Sequence, residues 1–106
     1  MAKRVPPTFP RSRTILRELG GRLKAARLRR GLTQADLAVR VDVSTPTVAK
    51  LERGNPSTTF ATVLRVLSVL GLAGDIDLIA KDDPLGRELQ DVALKRPVSR
   101  RKTPHV

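Results

Sequence analysis

LTQADLAVRVDVSTPTVAKLERG, Leu32 to Gly54, reads as two short helices joined by a turn of fixed length. Thr33 offers a hydroxyl that caps a helix entered at Gln34, and Asp36, three places on, can return the bond. Leu37, Ala38 and Val41 fall at i, i+1 and i+4 and make one narrow apolar face, where Ala38 is small enough for a crossing helix to come close. Asp42 and Val43 occupy the turn. Ser44 caps the next helix, Val48 and Leu51 form its inner face, and Gly54 ends it. Its outward positions, Thr45, Thr47, Ala49, Lys50 and Arg53, are small, polar or basic. Pro46 lacks an N–H and fits only in the first helical turn, where that donor has no partner within the helix.

Upstream, Leu16, Leu19, Leu23 and Ala26 share a face at i, i+3, i+7 and i+10, which predicts a first helix from near Thr14 to Arg30, stopped by Gly31. Gly20 and Gly21 lower helix propensity by roughly 1 kcal/mol each and predict fraying or a bend in its first turns. Downstream, NPSTT supplies turn and cap residues. Phe60, Val63, Leu64, Leu67 and Leu70 then form an apolar stripe ending at Gly71, while Val66 and Val69 extend apolar surface onto a second face that a partner subunit would cover. Residues 72–80 admit either a short helix, which is favoured, or an Ile76–Leu78 strand pairing across a dimer. Asp83 and Pro84 cap an amphipathic helix to Leu94, with Leu85, Leu89 and Val92 at i, i+4 and i+7. The fold class is all-α, a compact bundle of about five helices.

The net charge of +11 sits mostly at the ends. Residues 1–13 carry +4 and residues 95–106 carry +5, whereas residues 14–94 hold twelve basic and ten acidic side chains. The organisation expected is therefore a flexible basic arm over 1–13, a domain over 14–81 containing the motif 33–53, an amphipathic helix over 82–94 and a basic tail over 95–106. Such arms suit nucleic-acid phosphates, and their prolines suit solvated chain equally well.

Catalysis finds little to work with: there is no Cys, and the lone His105 stands beside the C-terminus. Asp75, Asp77, Asp82 and Asp83 lack the spacing of a calcium loop, so no metal and no cofactor is expected. No segment approaches the roughly 20 apolar residues of a membrane span and no leader is evident, which points to a cytoplasmic protein.

The order TQ, LA, a turn, VS, TV, LERG resembles the lambda-repressor-like (XRE/Cro) helix-turn-helix family over the motif. That resemblance implies a lambda-repressor-like DNA-binding domain that reads double-stranded DNA, with its second motif helix in the major groove. It implies base reading by Thr45 and Lys50: Thr offers a hydroxyl and a methyl, and Lys can donate to guanine O6 and N7. It puts Gln34, Ser44, Thr47 and Arg53 against phosphates as positioning residues. It also pairs Arg27 of the first helix with Glu52 as a structural couple. The turn position usually held by Gly is Asp42 here, a residue that tolerates the left-handed conformation at some strain.

The motif, the uncovered apolar surface and the two basic arms together lead to the expectation of a homodimeric repressor on an inverted-repeat operator. STTFATVLRVLSVLGL further resembles the region after the motif in HipB-type antitoxins, which implies a HipA-type Ser/Thr kinase toxin as a partner and the helix from Pro84 as a docking element. A stand-alone regulator of the same family, or an interaction module that has lost DNA readout, fits the charge pattern as well.

Overall fold

The computed structural model describes residues 7–95. The helices are α1 (Pro10–Arg29), α2 (Gln34–Val41), α3 (Thr45–Glu52), α4 (Phe60–Val69) and α5 (Pro84–Lys95), with a 3-10 segment over Ala73–Leu78. No strand occurs among the described residues, so the fold is all-helical and the strand alternative for 72–80 is set aside. Residues 1–6 and 96–106, the start of the basic arm over 1–13 and nearly all of the basic tail over 95–106, lie outside the described residues.

α1 begins four residues earlier than its apolar spacing suggests. Pro10 stands in its first turn, where a missing N–H costs nothing, and the Arg13 N–H bonds the Phe9 carbonyl at 2.9 Å. Residues 10–13 are therefore helix and not arm. The fraying expected at Gly20 and Gly21 does not occur, because α1 runs unbroken through both. Gly20 is buried against α3, where its missing side chain is a packing requirement.

Four chain reversals are built alike. After α1, α2, α3 and α4, paired bonds run back from Gly31 and Leu32, Asp42 and Val43, Gly54 and Asn55, and Gly71 and Leu72, each closing the last turn of its helix. The left-handed residue is Gly in three of them and Asp42 in the fourth, at φ 63 and ψ 51. The turn between α2 and α3 keeps its geometry with a side chain present.

α2 packs on α3 and α4, and α1 packs on α3. The core draws Leu23 and Ala26 from α1, Leu37, Ala38 and Val41 from α2, Val48 and Leu51 from α3, and Val66, Leu67 and Leu70 from α4. Leu37, Val48 and Val66 are fully buried, each contributing about 1.5–3 kcal/mol of apolar burial.

α4 buries most of its regular stripe but is rotated from it: Leu67 and Leu70 are core and Val63 packs against them, Thr62 and Val66 join them inside, and Phe60 is 59% and Leu64 38% exposed. Val66 is thus central to the core and not part of a surface awaiting a partner. A sequence stripe fixes the width of an apolar face, but neighbouring helices decide its rotation.

The chain divides into two compact units at Ile76 and Asp77. In the second, Asp83 caps α5 by accepting the Gly86 N–H at 3.0 Å. Leu85, Leu89 and Val92 are exposed along that helix. The division also separates charge that looks balanced in the linear sequence. Residues 14–76 hold ten basic and five acidic side chains, whereas residues 77–94 hold two basic and five acidic ones.

Candidate nucleic-acid interface

Thr33 and Asp36 set the start of α2 by a reciprocal pair of bonds. The Thr33 hydroxyl accepts the Asp36 N–H at 3.0 Å, and the Asp36 carboxylate accepts the Thr33 N–H at 2.9 Å. That backbone donor, and after it the Thr33 hydroxyl contact, holds the Asp36 carboxyl below the usual carboxylate range. Gln34 follows as the first helical residue.

A buried polar knot ties this helix start to α1 and α3. Arg27 grips Glu52 with two parallel bonds, Nε to Oε2 at 2.6 Å and Nη2 to Oε1 at 3.0 Å, and its Nη1 donates to the Leu32 carbonyl at 2.7 Å. Both side chains are nearly inaccessible, 6% and 3% exposed. Gln34 Nε2 donates to the same Glu52 Oε1 at 3.0 Å. The hydrogen bond to Glu52, against the opposing effect of burial, raises the Arg27 pKa above its ordinary value. Among the described residues, no buried side-chain polar atom is left unpaired.

The knot alters how Gln34 can serve. Its amide is turned onto Glu52, so what α2 offers outward at its start is the backbone N–H of Gln34 and Ala35, the two first-turn donors that the Thr33 cap does not engage. Sequence reasoning missed this third member of the couple. The signal available was a Gln directly after the cap, within reach of the carboxylate ending the next helix.

α3 begins at Ser44, whose Oγ accepts the Thr47 N–H at 3.2 Å and lies 2.8 Å from the Thr47 hydroxyl. Val48, Leu51 and Glu52 are buried; Thr45, Pro46, Lys50 and Arg53 are exposed, and Thr47 and Ala49 are half-buried. Pro46, Lys50 and Arg53 fall on one row at i, i+4 and i+7, with Thr45 and Ala49 on the row beside it. Pro46 occupies the second helical position, so α3 loses no internal bond to it. The outward surface therefore combines one apolar ring, a Thr, a Lys and an Arg, with no carboxylate among them. Major-groove base edges and their flanking phosphates require such a surface.

The far end of α3 is clamped backbone to backbone. A Cβ at Gly54 would stand 2.5 Å from the Arg17 nitrogen, so only Gly lets the turn after α3 rest on α1. Beyond it, Asn55 accepts the Ser57 N–H at 2.8 Å and the Ser57 hydroxyl at 2.7 Å, and Thr59 caps α4 through the Thr62 N–H. α3 is thereby a short rod fixed at both ends, with its outer rows left open. No helix among the described residues is long and apolar enough to cross a membrane.

A family model described as a helix-turn-helix domain matches residues 18–78, more than half of the chain. Comparison with curated proteins gave no match. The matched span contains α2, α3, the polar knot and α4. The chain belongs to the helix-turn-helix domain family, in keeping with the lambda-repressor-like pattern of its motif.

Proposed function

Taking the chain as a helix-turn-helix DNA-binding regulator, we propose that it is a sequence-specific transcriptional repressor that binds an inverted-repeat operator as a homodimer. The observation that carries this reading is the outward surface of α3, with Thr45 and Lys50 exposed beside Pro46 and no acidic side chain among them. Lys50 reads guanine through O6 and N7, and Thr45 contacts a base edge or a thymine methyl. Arg53, Ser44, Thr47 and the backbone donors at Gln34 hold phosphates and set the register. The reading assigns no catalytic step and no cofactor.

Exposed apolar residues support the dimer: Phe60 and Leu64 on α4, and separately Leu85, Leu89 and Val92 on α5, are apolar positions that a second copy would cover. Selection of bound duplexes from a random pool, followed by footprinting, tests it. Two inverted half-sites about 34 Å apart are expected. A single asymmetric half-site would overturn the dimer, and unchanged base preference in Lys50→Ala would remove Lys50 as a reader.

The finer identity we propose is the antitoxin of a kinase toxin, supported by the HipB-like STTFATVLRVLSVLGL segment and by the exposed apolar row of α5 as its docking element. Co-purification of a HipA-type Ser/Thr kinase encoded next to this chain is the result expected. Repression with no such neighbour would leave a stand-alone regulator.

A further inference from the structure

α1 carries a row of five positions at i, i+4, i+7, i+11 and i+14: Arg13, Arg17, Gly20, Lys24 and Arg27. Two of them dock α3. Gly20 rests on the carbonyls of Leu51 and Glu52, and Arg27 holds the Glu52 carboxylate. The other three, Arg13, Arg17 and Lys24, are exposed on the same flank of α1, and Arg17 lies beside the turn that follows Arg53. The backbone contact between Gly54 and Arg17 gives the closeness directly. Arg17 Nη2 donates to Thr14 Oγ1 at 3.3 Å, which holds its guanidinium along α1. Pro10, Arg13, Thr14 and Arg17 line a shallow groove there.

The opposite flank of α1 is built differently. Arg11, Arg22 and Arg29 are also exposed, but Glu18 lies among them, seven residues from Arg11 and four from Arg22. No acidic residue interrupts the row beside α3.

We propose that Arg13, Arg17 and Lys24 form a phosphate strip that extends the contact of α3 along the DNA backbone beyond the motif. This rests on the DNA-binding reading and adds to it a sequence-independent grip. A run of cations on one helix edge, beginning beside the turn that follows Arg53, presents several like charges to one stretch of duplex backbone. The strip contributes affinity and register, while base choice stays with α3.

The test compares two triple variants of the full chain that remove the same charge: Arg13→Gln, Arg17→Gln, Lys24→Gln against Arg11→Gln, Arg22→Gln, Arg29→Gln. The readout is the dependence of duplex affinity on salt, with melting curves as the check that both fold. Removing one bound phosphate lowers the log–log slope by about 0.9, so the strip variant falls short of the parent slope by about 2 to 3 while the control retains it. Base preference by selection is the same in all three. Equal slopes in the two variants, or a strip variant that matches the parent, would overturn the strip and leave the motif reading standing. A parent chain without affinity for any duplex at low salt would overturn both.

Discussion

Gly20 of α1 lies directly beneath the carbonyl oxygen of Glu52 at the end of α3. A Cβ placed at Gly20 would stand 2.5 Å from that oxygen and 2.7 Å from the Leu51 oxygen. Both are backbone atoms of a helix fixed by the Arg27–Glu52 pair, so neither has room to yield. Gly21, one residue later, has nothing within 4 Å of the same position.

The two adjacent glycines therefore answer alanine with opposite signs. Gly21→Ala is expected to raise stability by about 1 kcal/mol, through helix propensity and a less flexible unfolded chain. Gly20→Ala is expected to lower it by about 2 kcal/mol or more, because α1 and α3 must separate. Denaturant unfolding of both variants decides it; a stabilising Gly20→Ala would refute the close approach.

Removing Glu52 strands Arg27. With its carboxylate gone, the buried guanidinium keeps only the Leu32 carbonyl, and Gln34 loses its partner too. Glu52→Ala is expected to cost about 3–5 kcal/mol. Base preference, selected at a temperature where the variant is folded, stays as in the parent. Unaltered stability together with a changed preference would turn Glu52 into a reader.

The Asp36 cap makes the start of α2 sensitive to acid. Its carboxyl is held below the ordinary range by the Thr33 N–H, so the folded state binds that proton less readily than the unfolded chain. The stabilisation is complete above the unfolded pKa of about 3.9 and is lost as pH falls through the lower folded value. Asp36→Asn should flatten the melting temperature against pH in that acid window and leave the neutral-to-basic limb parallel to the parent. Parallel curves throughout would show that the cap carries no such linkage.

Asp42 is the one side chain among the four left-handed helix ends. Asp42→Gly removes the steric strain and should raise the melting temperature slightly, by an amount worth at most about 1 kcal/mol. Asp42→Val adds a branched side chain where φ is positive and should lower it by more than the Gly variant gains. If both variants melt like the parent, the turn is not held left-handed in solution.

Much of this fold is legible in the order of residues because caps, turns and helix ends are local. Thr33 with Asp36, Ser44 before Thr47, and Gly31, Gly54 and Gly71 after their helices each act within one turn of chain, and each boundary follows from a few neighbouring residues. The outward character of Thr45, Lys50 and Arg53 is legible for the same reason, since Val48 and Leu51 fix which side of α3 turns inward.

What depends on residues far apart in sequence was decided only on folding. Thr62 and Val66 turn inward, and Phe60 outward, because α4 packs on α2 through the side that bears them. Gly20 is needed not for a bend but because α3 arrives against it, and the Gln34 amide turns onto Glu52 because a carboxylate eighteen residues away is brought within 3.0 Å. Hydrophobic spacing fixes that a helix has a buried side and how wide it is; its rotation, its closest approaches and its long-range polar partners are set by the surfaces it packs against.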